Sequence, residues 1–127
     1  MGDSMIYLAT PYTDTDPTVR LRRYNLATQI AAALMLDGQH VFSPITHCHP
    51  MMKYQDLPPD YDYWEQYDNW FLSSCSELLI VPSIGWENST GVTAEIEMAR
   101  SMGIPVNLAG LSVKGGKMTI SRTELEG

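Results

Sequence analysis

The sequence predicts a small doubly wound α/β fold, a parallel sheet of four to five strands with helices on both faces. Three observations carry that prediction. Short β-prone runs alternate with helical patterns, the order that right-handed βαβ crossovers produce. The run Glu77-Leu78-Leu79-Ile80-Val81 is apolar after its first residue, as a strand covered on both faces requires. The chain has 127 residues, 44% of them hydrophobic, which suffices for a single domain (1–127) with its own core.

Taken in order, Met5-Ile6-Tyr7-Leu8-Ala9 reads as a buried first strand stopped by Thr10-Pro11, after a four-residue leader, 1–4, that is expected to be disordered. Asp14 to Asp16 is loop. Asp16 suits an N-cap and Pro17 the first helical position, and the pattern Val19, Leu21, Leu26, Ile30, Ala31, Leu34, Met35 carries a helix to Leu36, where Asp37-Gly38 ends it. His40 to Ser43 is a second strand stopped by Pro44. From Pro44 to Pro59 an irregular stretch holds His47, His49, Pro50, Pro58 and Pro59, and its length marks it as functional rather than connecting. Asp60 to Ser74 is helical by period, with Trp64, Tyr67, Phe71, Leu72 and Cys75 on one stripe and Asp68 among them.

The strand Glu77–Val81 ends at Pro82, and 83–88 is loop. Ser89 or Thr90 caps a helix that runs from about Val92, with Gly103 and Pro105 as its stop. Ile104 to Leu108 is the fourth strand. Beyond it, residues 110–127 read as a weakly structured tail: a turn over Gly110–Gly116, a short strand over Lys117–Ser121 and a frayed end.

At about 100° per residue, Val92, Ile96, Met98, Ala99 and Met102 form the apolar arc of the 89–102 helix, and Thr93, Glu97, Arg100 and Ser101 the polar one. Glu95 falls inside the apolar arc. An ionised Glu is almost never buried without a partner, so this carboxylate calls for compensation, part of which the positive end of the helix supplies. Glu97, on the polar arc three residues before Arg100, reads as a solvated ion pair. Asp68 and Glu95 are thus two carboxylates on apolar faces. Such pairs suit glycosidic chemistry, one attacking or stabilising an oxocarbenium-like centre while the other manages protons.

Composition narrows the function classes. A formal net charge of -7 and a pI near 4.7 argue against a polymeric nucleic-acid binder or a protein held on anionic membrane, and leave a small molecule as the expected ligand. Cys48 and Cys75 suggest neither a disulfide framework nor a zinc site, which makes a reducing cytoplasm the expected compartment. No apolar run approaches the roughly 18 residues of a membrane span. The phosphate-loop, dinucleotide and nucleophile-elbow motifs are missing, and the first strand lacks the acidic residues of a phosphorelay receiver. No cofactor and no metal are expected.

In a doubly wound, flavodoxin- or Rossmann-like sheet, ligands bind beyond the carboxyl ends of the strands where strand order reverses. That rule selects the loops after Ala9, Ser43 and Val81 and the amino end of the Glu95 helix. Candidate substrate contacts are Thr10, Tyr12, His47, His49, Trp86, Ser89 and Gly91. Two histidines at i and i+2 in extended chain point the same way, so His47 and His49 also form a candidate metal pair lacking a third ligand. Arg20, Arg22 and Arg23 read as a solvated helix face or, alternatively, as cations for a ligand phosphate. Trp64, Trp70 and Trp86 with Tyr12, Tyr61 and Tyr63 offer stacking surface, and both cysteines read as packing residues.

Tyr7-Leu8-Ala9, Asp68 in Asp-Asn-Trp-Phe-Leu, and Ser89-x-Gly91-Val92-x-x-Glu95 resemble the nucleoside 2-deoxyribosyltransferase superfamily, which includes the 2'-deoxynucleoside 5'-monophosphate N-glycosidases. Ala9-Thr10-Pro11-Tyr12, Ser43-Pro44-Ile45-Thr46-His47-x-His49-Pro50 and Trp86-Glu87-x-Ser89-x-Gly91-Val92 are more similar still to small bacterial and phage proteins of the DUF1937 type, over about Met5 to Leu108. The superfamily resemblance implies Glu95 as nucleophile on the anomeric carbon, with Tyr7 orienting it. It implies Asp68 at the sugar or protonating the leaving base, and Ser89 at a 5'-phosphate. It also implies a homodimer or homotetramer, for which the aromatic helix from Tyr61 to Phe71 is the candidate interface. This chain departs from that pattern in two places: Glu97 stands where the superfamily has Gly, and Thr10-Pro11-Tyr12-Thr13 where its hydrolase branch has a Gly-Ser-x-Arg loop. The expected function is hydrolysis or deoxyribosyl transfer at the N-glycosidic bond of a 2'-deoxynucleoside or its 5'-monophosphate. The alternatives are a non-catalytic nucleotide-binding module of the same fold and a metal-assisted hydrolase using His47 and His49.

Overall fold

The computed structural model describes residues 4–55 and 61–125. Its elements are β1 (Met5–Ala9), α1 (Pro17–Leu36), β2 (His40–Phe42), α2 (Pro44–Cys48), α3 (Tyr61–Leu72), β3 (Glu77–Ile80), α4 (Thr90–Ser101), β4 (Val106–Lys114) and β5 (Lys117–Glu124). Single 3-10 turns cover His49–Lys53 and Trp86–Asn88. The sheet order is β2-β1-β3-β4-β5, with the first four strands parallel and β5 antiparallel to β4. The fold is therefore α/β with a mixed five-stranded sheet. From β1 the chain steps outward to β2 and then returns to β3 on the other side. The reversal of strand order thus lies between β1 and β3.

Strand alternation divides the core into two layers. Tyr7, Ala9, Leu78 and Ile80 face α3 and α4, meeting Leu72, Val92, Ile96 and Ala99. Ile6, Leu8, Leu79 and Val81 face α1, meeting Ile30, Ala31 and Leu34. Most of these side chains have no exposure, and each large aliphatic one contributes on the order of 2 kcal/mol by leaving water. Both faces of the central strands are covered, as their continuous apolar sequence requires.

The caps form where local chemistry directs them. The Asp16 side chain accepts from Thr18 N, with Pro17 at the first position of α1. Ser89 Oγ accepts from Val92 N at 3.2 Å and starts α4. Gly103, with φ of 74°, ends it in a conformation that favours glycine.

Three expectations are corrected. The stretch after Pro44, read as irregular, is helical from Pro44 to Lys53: Ser43 Oγ accepts from Thr46 N at 3.3 Å, so Ser43-Pro44 stops β2 and caps α2 at once. Pro58, Pro59 and Asp60 lie outside the described residues, as do residues 1–3 of the expected leader. The weak tail is, from Gly110 to Glu124, part of a long hairpin. Gly115 and Gly116, with φ of 57° and 78°, make the turn whose twist suits paired strands, and Met118 and Ile120 lean onto the α1 layer. Tyr67, placed on the apolar stripe of α3 by period, is exposed.

The hairpin is tied back to the sheet by Arg122, whose Nε donates to Glu77 Oε2 at 2.8 Å and whose second nitrogen donates to Gln39 Oε1 at 2.7 Å. Asn107 Nδ2 donates to the same Glu77 oxygen at 2.7 Å. The network joins β3, β4, β5 and the entry to β2. Arg122→Ala is expected to cost about 1 kcal/mol, read as a fall of a few degrees in Tm, with more of the loss recovered in high salt than an apolar truncation would show.

Candidate active site

The amino-terminal half of α4, the carboxyl ends of β1 and β3 and one side of α3 converge at the strand-order reversal. Glu95, in the second turn of α4, is 6% exposed. Tyr7, from the middle of β1, is fully buried beside it and donates its hydroxyl proton to Glu95 Oε2 at 2.5 Å. Asp68 of α3 is 8% exposed and hydrogen-bonds to both the Glu95 carboxyl and the Tyr7 hydroxyl. Helical phase put both carboxylates on apolar faces, and the sheet supplies the tyrosine between them.

Burial is the largest influence on both acids. It raises Asp68 to about 7, against the hydrogen bonds from Glu95 and Tyr7. It also raises Glu95 well above the usual carboxylate range, reinforced by the charge of Asp68 and opposed by the Tyr7 hydrogen bond. Two desolvated carboxyls in contact cannot both ionise cheaply, so the pair retains one shared proton at neutral pH and titrates as a unit.

Above the pair lies a cavity of about 500 Å³. Its described walls include Asp68 and Glu95 together with Thr10, Tyr12, His49, Ser89 and Gly91 from the sequence-predicted set. Tyr7 sits beneath Glu95, behind the wall. His47 and Trp86 do not line the cavity: His47 is exposed beside Phe42, at 6.1 Å between ring centroids, and Trp86 packs against the core. The prediction that His47 and His49 point together assumed extended chain. On helical backbone, residues two apart are roughly 200° apart around the axis, so the two rings diverge. Among the described residues no group of three His, Cys, Asp or Glu side chains is placed to hold a metal ion.

A family model described as the domain of unknown function DUF1937 matches residues 4–111. The chain belongs to that family. The structure is similar to that of a 2-deoxyribosyltransferase from the psychrotolerant bacterium Bacillus psychrosaccharolyticus, at 18% sequence identity and a TM-score of 0.58, covering 83% of this chain and 71% of the other. At that identity the likeness is one of fold. A search of curated proteins returns no match. No helix among the described residues is long and apolar enough to cross a membrane.

Several wall residues of this DUF1937 member escaped sequence reasoning. Arg23, read as part of a solvated face, lines the cavity and donates to the Thr13 carbonyl at 3.1 Å. Cys48, read as packing, also faces it; burial and then the charge of Asp68 push its thiol up to about 11, which keeps it protonated. Trp64, one of the aromatics the sequence offers as stacking surface, does supply an aromatic wall, with Tyr63 edge-on behind it at 4.9 Å, whereas Trp70 is 68% exposed and the Tyr61 side chain lies outside the described residues. Ile45, Met52 and Asn88 also line the cavity. Only Arg23 and Trp64 carried a usable signal, a cation and an aromatic at helical spacing near predicted loops. Thr10 Oγ1 is buried with no hydrogen-bond partner among the described residues, which leaves an unmet polar group on the wall of the cavity. A cavity with aromatic, cationic and unmet polar walls over a one-proton carboxyl pair combines a nucleophile, an acid and room for a small polar ligand.

Proposed function

We propose that this protein cleaves the N-glycosidic bond of 2'-deoxynucleosides or their 5'-monophosphates, by hydrolysis or by transfer of the deoxyribosyl group. The observation that carries the reading is the Tyr7–Glu95–Asp68 constellation at the edge of the cavity. In the reactive protonation state Glu95 is ionised, held by the Tyr7 hydroxyl, and Asp68 keeps the shared proton. Glu95 attacks the anomeric carbon and the bond to the base breaks. The leaving base takes the electron pair, and with it the proton of Asp68. Water or a second base then displaces Glu95, with the Asp68 carboxylate accepting the incoming proton. The related fold of a 2-deoxyribosyltransferase supports this choice of chemistry. Arg23 and the amino end of α4, with Ser89 and Gly91 on the wall, suit an anionic 5' end and bring monophosphates into the substrate range.

Incubation with a panel of deoxynucleosides, their monophosphates and the matching ribonucleosides, with chromatography of the free base, tests the reading. Base release from at least one deoxy substrate, with ribonucleosides slower by about 10-fold or more, is the expected result. Ligand-induced thermal stabilisation with no base released from any of them would instead assign a binding module.

A further inference from the structure

The position of the acid fixes where a leaving base must lie. Asp68 passes its proton to the base, so the base ring occupies the part of the cavity beside Asp68. Two helices supply the walls there. On α3, Trp64 lies one turn before Asp68, and both line the cavity. On α2, Pro44, Ile45 and Cys48 share a face by helical phase, the 3-10 turn that follows adds Met52, and all four line the cavity. Cys48 stands within electrostatic reach of Asp68 on one side and of Tyr12 on the other, which puts it beside the acid. The slot between the two helix faces is thus apolar for most of its lining, with one small side chain, Cys48, among larger ones. Apolar walls reward a base in proportion to the area it buries, so a two-ring base gains over a one-ring base wherever both fit. At about 500 Å³ the cavity has the size of sites that enclose a whole small ligand.

We propose that Cys48 is the size gate of the base subsite: its small side chain beside the acid admits the second ring of a purine, so that purine deoxynucleosides or their 5'-monophosphates are the preferred substrates. The inference rests on the N-glycosidic reading and deepens it by naming the base class. Cys48 acts through the space it leaves and forms no bond to the substrate. A one-ring base leaves that space unfilled, and a missing apolar contact separates substrates by roughly 10- to 200-fold.

Steady-state kinetics on deoxyadenosine and deoxyinosine against deoxycytidine and deoxyuridine, and on their monophosphates, test it. The wild-type protein is expected to favour the purine members by at least about 10-fold in kcat/KM. Cys48→Leu, which fills the space with a branched alkyl group, is expected to bring that ratio within about 3-fold of unity or to reverse it. Cys48→Val, with less added bulk, gives an intermediate ratio and carries the same test should the leucine variant not fold. Cys48→Ser, of nearly the same size, keeps the wild-type ratio, which separates space from the chemistry of sulfur. Each ratio is compared between proteins, so the intrinsic reactivity of the two kinds of glycosidic bond cancels. A ratio unchanged in the leucine and valine variants, one that collapses in Cys48→Ser, or a wild-type preference for pyrimidines overturns the proposal. The dissociation constants of adenine and uracil, measured calorimetrically on the wild-type and Cys48→Leu proteins, separate the two levels. Absent turnover defeats the enzymatic reading, whereas a purine preference in binding that does not depend on Cys48 defeats this one.

Discussion

Glu95→Gln is expected to lower base release by at least about 10³-fold while leaving the melting temperature unchanged or a few degrees higher. The loss follows from removing the protein group that, in the proposed mechanism, forms a bond to the anomeric carbon, and each tenfold corresponds to about 1.4 kcal/mol of barrier. The stability gain has a separate cause. Glu95 is buried, and its ionised form is disfavoured by desolvation and by Asp68. A glutamine keeps the shape, accepts from Tyr7 through its carbonyl and donates to Asp68 through its amide, so the contacts remain and the charge conflict disappears. Steady-state kinetics and thermal melts on the same preparation check both halves. In the wild-type protein, rapid acid quench and peptide mass analysis should recover deoxyribose attached to the peptide bearing Glu95. Tyr7→Phe is the companion variant: it leaves the nucleophile but strips the hydroxyl that orients it, for an expected loss of about 10- to 100-fold and a stability cost of about 1–3 kcal/mol.

Asp68 is expected to set the pH dependence. Its folded-state value of about 7 stands above the ordinary 3.8, so the folded protein holds a proton that the unfolded chain releases. The associated stability is complete below about pH 4 and is lost as pH rises through 7, and Glu95, raised in the same direction, adds to it. The melting temperature of the wild-type protein is therefore expected to carry a downward contribution between about pH 4 and 7 that Asp68→Asn removes, checked by melts of the two proteins across that range. Turnover by the wild-type protein should fall above about pH 7, where Asp68 gives up the proton it would pass to the leaving base. Asp68→Asn is expected to lose about 10²- to 10⁴-fold in rate, the range for a general acid, and to lose the alkaline limb as well. A rate profile in Asp68→Asn that still falls above pH 7 would assign that limb to another group.

Much of the scaffold was legible because its signals are local. Asp16-Pro17 and Asp37-Gly38 bound α1, and Ser89 and Gly103 bound α4, since caps are hydrogen bonds reaching only a few residues along the chain. The burial of Glu95 and the exposure of Glu97 followed from helical phase alone. The misreadings arose where one residue served two purposes or where the covering element came from elsewhere. Ser43-Pro44 both ends a strand and caps a helix, and only the second role tells that His47 and His49 diverge. The alternation of Lys117-Met118-Thr119-Ile120 is a strand signal, but what covers Met118 and Ile120 is α1, some ninety residues earlier in the chain. Arg20 and Arg23 lie on a helix face that looks solvated, until the loop from Thr10 to Asp14 folds across it and offers the Thr13 and Asp14 carbonyls.

The sequence by itself determined the alternation of strands and helices, the caps, the two carboxylates on apolar faces and the loops where a ligand belongs. These rest on interactions spanning three or four residues, or on a period that is read directly from the chain. Tertiary structure alone decided that Tyr7 and Glu95, 88 residues apart, share a hydrogen bond, that Asp68 joins them, and that His49 rather than His47 turns to the cavity. Those outcomes depend on sheet register and on which helix packs against which face. They arise only when the conformational entropy of long loops is overcome by burial of the two core layers together, and no short window of sequence contains that balance.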